Sequence, residues 1–218
     1  MEKNELTEVV FILDRSGSMS GLEEDTIGGF NTMIEKQKEV PGKVYVSTIL
    51  FNTESLVVHD RLLLSDVPRM TRKDYDPLGG TALLDAVGNA IHHIRNVHKY
   101  ARAEDRPGKT LFVITTDGME NSSRKYSYAR LRKIIEERKK EGWEFLFLGA
   151  NIDAEEVAEQ VGIGAERAVD FCCDAEGTAL NFETVGCVVQ EVRSRIGIDP
   201  DWKRNIERDH KKRGRPSR

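Results

Sequence analysis

The feature that most constrains the fold is a short apolar run near the start of the chain that ends in a carboxylate. The run extends from Val9 to Leu13 and is followed by Asp14, with serines at positions 16 and 18. An apolar segment of this length, bounded by turn residues, is typical of a strand buried on both faces of a parallel sheet. Ligands of open α/β sheets bind beyond the carboxyl ends of the strands. The run therefore predicts a central strand followed directly by a polar binding loop.

The rest of the chain alternates between strand-like and helix-like segments. Runs of β-branched and aromatic residues predict strands at 44–51, 55–59, 110–116, 143–148 and 168–171. The first two form a hairpin, which gives the sheet one antiparallel edge strand. Apolar residues at helical spacing predict helices that begin near Ser20, Thr81, Ser127 and Asp153, and a last helix of about 20 residues. This alternation predicts a doubly wound α/β fold, with a mostly parallel sheet and helices on both faces.

Length and composition favour one domain inside the cell. The 218 residues suit a single α/β domain, predicted at 1–200, and a basic tail at 201–218 that we expect to be disordered. No apolar run approaches the roughly 18 residues of a membrane span, and the N-terminus does not resemble a signal peptide. The three cysteines form neither a disulfide framework nor a zinc-binding pattern. We therefore expect a cytoplasmic protein that does not bind membranes.

Oxygen-bearing side chains occur at the ends of three predicted elements. Asp14, Ser16 and Ser18 follow the first strand. Asp117 follows a later buried strand, and Thr81 begins the middle helix after two glycines. If the two strands are neighbours, all these side chains converge at one edge of the sheet. The sequence thus predicts one site built from five side chains.

The donor set of this predicted site favours a hard divalent cation. All five side chains offer oxygen and none is Cys or His, which is typical of Mg²⁺ sites, and Mn²⁺ is possible as well. Mg²⁺ is usually held by one or two carboxylates, here Asp14 and Asp117. The hydroxyls of Ser16, Ser18 and Thr81 are neutral ligands, so the ion would keep its affinity for an incoming carboxylate.

The five positions resemble the metal-ion-dependent adhesion site of the von Willebrand factor type A domain family. That site reads Asp-x-Ser-x-Ser, then Thr, then Asp, and this chain has a matching residue at each position. The surroundings are similar as well, because Gly-Gly-Thr-Ala-Leu precedes the middle helix and Thr-Asp-Gly closes the later strand. The resemblance covers residues 6–171, approximately.

The resemblance implies both a topology and a mode of binding. It implies six strands in the order 3-2-1-4-5-6, which puts the site at the topological switch point between the first and fourth strands. It implies that the hydroxyls ligate the ion directly, that the aspartates bind it directly or through water, and that an Asp or Glu of a partner protein completes the shell. The chain is similar to the free-standing intracellular members of bacteria and phages, which commonly act as adaptors in multiprotein assemblies.

Residues beside the metal loops are candidates for partner recognition. Some precede the Gly-Gly-Thr segment and the others follow Asp117, so they would surround the ion. The predicted partner-binding rim consists of Tyr75, Asp76, Leu78, Met119, Glu120 and Asn121.

The charge pattern offers a second hypothesis, a DNA-associated adaptor. Residues 203–218 carry eight basic and two acidic residues, whereas residues 1–202 carry 25 basic and 35 acidic ones. The acidic body is not expected to bind nucleic acid nonspecifically, because like charges repel. The tail resembles the AT-hook, whose arginines enter narrow A·T-rich minor grooves where negative potential is concentrated. The matching residues are Arg213, Gly214, Arg215 and Pro216.

Motifs for catalysis do not accompany the predicted site. No Gly-x-x-x-x-Gly-Lys-Ser/Thr segment is present, so a P-loop nucleotide site is not supported. The Gly17–Gly21 segment has Met19 at its centre, where a nucleophile elbow requires a nucleophile. A phosphatase that used Asp14 as nucleophile would be expected to carry a second Asp where this chain has Ser16. A metal-dependent phosphoester hydrolase remains a third hypothesis, because a bound ion can promote such chemistry.

Overall fold

The computed structural model describes residues 5–213 and contains one six-stranded sheet. The strand order is β3-β2-β1-β4-β5-β6, and all neighbouring pairs are parallel except β2 and β3. The predicted doubly wound α/β fold, its strand order and its single antiparallel edge strand are thus confirmed. The strands are β1 Thr7–Asp14, β2 Val44–Phe51, β3 Ser55–Leu63, β4 Lys109–Thr116, β5 Trp143–Gly149 and β6 Ala168–Asp170.

Helices cover both faces of this sheet. Helices α1, α5 and α6 contribute to the core on one face, and α2, α3 and α4 contribute to the core on the other. The helices are α1 Glu23–Lys38, α2 Leu83–Tyr100, α3 Tyr128–Lys140, α4 Ala154–Gln160, α5 Ala175–Arg193 and α6 Arg204–Arg213.

The central strand explains the apolar run that opens the chain. Val9, Phe11 and Leu13 point into the core beneath α1 and α5, whereas Val10 and Ile12 point into the core beneath α2 and α3. Successive side chains of a strand face opposite sides of the sheet, so a strand covered on both faces must be apolar throughout. The run ends at Asp14, the last residue of β1, which is buried but has polar partners for its carboxylate at the edge of the sheet.

Two predicted helix starts differ from the structure. Ser20 was expected to cap α1, but its hydroxyl donates to the carbonyl of Gly17 and α1 begins three residues later. Thr81 was expected to begin α2, but the helix begins at Leu83. The backbone N–H of Thr81 donates to the side chain of Asn121 at 2.9 Å, so this residue is held in the loop rather than in the first turn.

The C-terminal segment is a correction to the predicted tail at 201–218. Within the described residues, 204–213 form helix α6 and are not a disordered tail. Trp202 and Ile206 are buried in the core beside α5, and the indole N–H of Trp202 donates to the carbonyl of Glu166 at 2.9 Å. The segment was predicted to be disordered because of its high charge, although two apolar residues anchor it to the domain. No helix among residues 5–213 has the length and apolar character needed to cross a membrane.

Candidate metal centre

The two predicted carboxylates lie at the same edge of the sheet because their strands are neighbours. Asp14 is the last residue of β1, and Asp117 follows the last residue of β4. The two strands pair in parallel up to Leu13 and Thr115, so the loops that follow them begin at the same edge of the sheet. The hydroxyl of Ser18 donates to Oδ1 of Asp117 at 2.6 Å and thereby joins the two loops.

Asp14 is buried and held from three directions. Its Oδ1 accepts the backbone N–H of Ser16 at 2.7 Å, and its Oδ2 accepts the hydroxyl of Thr116 at 2.6 Å. The phenol of Tyr75 donates to the Asp14 carbonyl, also at 2.6 Å. Burial raises the pKa of the Asp14 carboxyl, an effect that the hydrogen bonds from Thr116 and Ser16 oppose and the charge of Asp117 reinforces. The carboxylate therefore has a fixed orientation but is short of positive charge.

The three predicted hydroxyl ligands lie beside these carboxylates. The oxygens of Ser16 and Ser18 are 3.0 Å apart. A Cβ atom placed on Gly118 would lie 3.5 Å from both Ser18 Oγ and Thr81 Oγ1, so the Thr81 hydroxyl faces the same small space. The structure thus brings together all five side chains that the sequence assigned to one site.

The glycines before Thr81 allow its loop to pack closely against the metal loops. Gly79 has a φ of +77°, which is unfavourable for residues with a side chain, and its carbonyl accepts the N–H of Gly17 at 3.0 Å. A Cβ on Gly80 would collide with the side chains of Asn121 and Ser122. These contacts fix the position of the Thr81 hydroxyl relative to the other ligands.

The residues present fit a hard divalent cation. Burial raises the pKa of Asp117 as well as that of Asp14, and the hydrogen bonds that each carboxylate accepts offset this effect only in part. A divalent ion would supply positive charge, and hydroxyl and carboxylate oxygens are the donors that Mg²⁺ and Mn²⁺ prefer. Across residues 5–213, no group of three or more His, Cys, Asp or Glu could hold a metal, so an ion at this position would need hydroxyl ligands as well as the two carboxylates.

The predicted partner-binding rim divides into exposed and internal residues. Asp76, Leu78, Met119 and Asn121 are exposed, with 52% of Leu78 and 72% of Met119 accessible to solvent, and Glu120 is half-buried. Tyr75 is fully buried, and this part of the prediction is wrong. Its phenol is used within the chain, where it supports the Asp14 backbone.

Glu120 and Asn121 use their side chains to fix the beginning of α2. The carboxylate of Glu120 accepts the backbone N–H of Leu84 at 2.9 Å, which is one of the free N–H groups of the first helical turn. Asn121 accepts the N–H of Thr81. The Asn121 side chain therefore positions a predicted ligand, Glu120 fixes the helix start, and the contact of either with a partner stays a prediction.

Two residues near the centre were not anticipated from the sequence. Thr116 was assigned only to its strand, although its hydroxyl binds Asp14. The thiol of Cys173 donates to Oδ2 of Asp117 at 3.7 Å, and burial together with the Asp117 charge raises its pKa to about 12. The threonine was recognisable as the polar residue directly before Asp117. No local signal identifies Cys173, which reaches the centre only because β6 ends nearby.

The AT-hook-like segment is only partly within the described structure. The guanidinium of Arg213 donates to Asp174 at 2.6 Å and to Asp209 at 2.7 Å, so this arginine is bound to the domain. The remaining positions, Gly214, Arg215 and Pro216, lie outside the described residues.

The sheet order, the crossovers and the edge at which these residues converge define the fold of von Willebrand factor type A domains. No family model matches the sequence, and no curated protein matches it. Among solved structures, proximal thread matrix protein 1 from the mussel byssus is 14% identical, with a TM-score of 0.60 over 84% of this chain and 46% of that one. The von Willebrand factor type A structure from Catenulispora acidiphila is 16% identical, with a TM-score of 0.53 over 84% of this chain and 42% of that one.

A domain-sized neighbour is the von Willebrand factor domain of the pilus tip protein Mfa5 from Porphyromonas gingivalis. It is 11% identical, with a TM-score of 0.59 over 88% of this chain and 96% of that one. The present chain spans less than half of the mussel and Catenulispora chains. Another structure of the mussel protein has a zinc-occupied adhesion motif. It is 12% identical to this chain, with a TM-score of 0.56 over 84% of this chain and 45% of that one. At these identities the likeness establishes the fold alone.

Proposed function

We propose that this chain is a divalent-metal-dependent protein-binding module. The observation that supports the proposal is the convergence of two buried carboxylates and three hydroxyls at the switch point between β1 and β4. Asp14 and Asp117 would hold the ion, and Ser16, Ser18 and Thr81 would ligate it without adding charge. The bound ion supplies positive charge at the protein surface, and an Asp or Glu of the partner would complete its shell.

The surroundings of the centre favour a partner whose acidic residue lies among apolar ones. Leu78 and Met119 are on different loops beside the ligands, and both expose large apolar side chains. The backbone N–H of Leu78 donates to the carbonyl of Arg15 at 3.0 Å, so Leu78 is attached to the first metal loop. Exposed apolar side chains at a polar site are typical of protein-interaction surfaces. Asp76 would disfavour partners with further acidic residues at that position.

The proposal includes Mg²⁺ as the physiological ion and an adaptor role in the cytoplasm. The all-oxygen donor set supports Mg²⁺ over zinc, which prefers nitrogen and sulfur ligands. The intracellular adaptor role is the hypothesis drawn from the family resemblance.

The test is affinity capture from the native cell extract with metal and with chelator. Asp14→Asn removes a metal ligand while keeping the size of the side chain. Asp60→Asn is the matched control, because Asp60 is an exposed residue of β3 that pairs with His93 rather than with the centre. We expect a protein that is retained by the wild type and the control in Mg²⁺, and lost with chelator or with Asp14→Asn. A captured protein that is retained equally with chelator and by Asp14→Asn would contradict the proposal.

The same variants separate this function from its rivals. A metal-dependent hydrolase predicts Mg²⁺-dependent turnover of generic phosphoesters that Asp117→Asn abolishes, whereas a binding module predicts none. The DNA hypothesis loses support, because Arg213 is engaged by Asp174 and Asp209. It predicts a salt-sensitive affinity for A·T-rich duplex that depends on the last residues of the chain.

A further inference from the structure

A small internal cavity lies beneath Asp14, between the sheet and helices α1 and α5. Its volume is about 20 Å³, and its wall includes Asp14 of β1, Thr26 of α1, and Thr178 and Asn181 of α5. All of the residues that line it are buried except Thr115, which is half-buried. The cavity therefore belongs to the interior of the domain and is not a groove in its surface.

Two polar side chains of α5 line this cavity without hydrogen-bond partners. Asn181 is 4% exposed, and neither its amide nitrogen nor its carbonyl oxygen has a partner among residues 5–213. The hydroxyl of Thr178, which is 5% exposed, has none within this range either. The two residues are three positions apart, so their side chains lie on the same face of the helix. One small cavity is thus bordered by three unpartnered polar atoms.

Asn31 shows how the same kind of side chain is satisfied elsewhere in the fold. It is also 4% exposed, but its amide donates to the carbonyl of Met70 at 2.9 Å and its side-chain oxygen accepts the Met70 N–H at 2.8 Å. Buried polar groups of native proteins are nearly always paired, either with the protein or with buried water, because an unpaired group destabilises the folded state. Asn181 and Thr178 therefore need a partner that the protein itself does not supply.

We propose that the cavity binds one water molecule, which Asn181 and Thr178 hold by hydrogen bonds. Water both donates and accepts hydrogen bonds, so it can pair with an amide nitrogen, a carbonyl oxygen and a hydroxyl. A metal cation could not accept a hydrogen bond from the amide of Asn181, and an anion could not donate one to its oxygen. Exchanging the nitrogen and oxygen of this amide changes nothing, because both atoms lack partners.

The size of the cavity fits one water molecule and excludes larger ligands. A buried water needs a cavity of about 10–15 Å³ or more and roughly two to four polar partners. The cavity of about 20 Å³ meets the first condition, and the three unpartnered atoms meet the second. Sites for small organic molecules have volumes of roughly 300 Å³ or more, so such a molecule would not fit.

The distribution of polar groups around the cavity indicates where the water lies. Most of the wall is apolar, and Phe11, Val113 and Phe182 belong to it. Asn181 and Thr178 both belong to α5, so we expect the water to lie on the side of this helix. Neither residue is a predicted metal ligand, and the proposal therefore does not depend on the metal-dependent function.

The experiment is magnetic relaxation dispersion of isotopically labelled water with the full chain, which counts the water molecules that stay bound for longer than the protein takes to tumble. We expect Thr178→Val and Asn181→Leu each to hold about one long-lived water fewer than the wild type. Both substitutions keep the approximate size of the side chain. Thr184→Val is the matched control, because Thr184 is a buried threonine of the same helix, 8% exposed, that does not line the cavity.

The control should hold the same number of long-lived waters as the wild type. Wild-type numbers in both cavity variants, or an equal loss in Thr184→Val, would overturn the proposal.

Nuclear Overhauser contacts with water locate the ligand without any substitution. The side-chain amide protons of Asn181 should show a contact with a long-lived water in the wild type. The amide protons of Asn31, which are bonded to Met70, are the control in the same spectrum and should show none. If the Asn181 protons show no contact with water, the side chain has found a partner within the protein and the proposed site is wrong.

Discussion

Thr116 illustrates how a single hydroxyl supports the candidate metal centre. It is fully buried and donates to Oδ2 of Asp14 at 2.6 Å. We expect Thr116→Val to lower the free energy of unfolding by about 1–3 kcal/mol, because a buried carboxylate oxygen loses its donor. Metal affinity should fall about 10-fold or more, as happens when the groups that orient a ligand are removed. Urea unfolding and a Mn²⁺ titration measure the two effects.

Thr115→Val is the control for that prediction. Thr115 precedes Thr116 in β4 and lines the small cavity beneath Asp14. The substitution is the same, but it removes no donor to the carboxylate. Equal losses of metal affinity in both variants would show that the effect comes from β-strand packing.

At the scale of residues, the sequence predicted the five side chains that converge better than the residues that support them. Asp14, Ser16 and Ser18 have a fixed local spacing, and Thr81 and Asp117 stand beside recognisable glycines. The supports have no such spacing, because Tyr75 and Cys173 approach the carboxylates only through the fold. Tyr75 was predicted to belong to the partner-binding rim because it precedes the Gly-Gly-Thr segment, but it is buried and its phenol donates to the Asp14 carbonyl.

At the scale of elements, α6 changes where the domain ends. We expect a chain truncated after residue 200 to lose about 3 kcal/mol or more of stability, because it lacks the buried Trp202 and Ile206. A chain truncated after residue 213 keeps both side chains and should unfold like the full chain. Denaturant unfolding followed by circular dichroism measures the difference. Equal stability of the two truncated chains would show that α6 contributes nothing to the core.

The predicted boundaries of an element are wrong where tertiary contacts outweigh the local preference of the sequence. The sequence predicted β3 over 55–59, but the strand continues to Leu63 after a register shift. There the guanidinium of Arg61 donates to the buried Glu8 of β1 at 2.6 Å. An ion pair between strands that are not neighbours cannot be inferred from the pattern of one strand. By contrast, Asp153 was predicted to open α4 with Glu156 as its capping partner, and its side chain accepts the N–H of Glu156 at the helix start.

At the scale of the whole molecule, metal binding should be visible as a gain in stability. An ion that binds only the folded state at 100 times its dissociation constant adds about 2.7 kcal/mol. For a chain of this size that corresponds to a rise in Tm of about 5–10 °C. Thermal unfolding with Mg²⁺, with Mn²⁺ and with chelator measures it. The rise should vanish in Asp117→Asn and persist in Asp60→Asn, and a rise retained in Asp117→Asn would argue against this site.

The strand order was accessible from the sequence only through the family resemblance. Periodicity distinguished strands from helices, but several orders of six strands agree with the same alternation. The physical reason is that the order depends on which crossovers pack together, a property of side chains far apart in the sequence.

The separation of the metal ligands along the chain has a consequence for biosynthesis. Ser18 and Asp117 are 99 positions apart, and their loops meet only after β1 has paired in parallel with β4. Long-range parallel pairing is slow, because the entropy of closing a long loop is lost before any contact is gained. An ion therefore meets its full set of ligands only on a chain that has already folded. If the proposed site binds its ion, the supply of metal should thus control when folded molecules become competent to bind, and not how fast newly made chains fold.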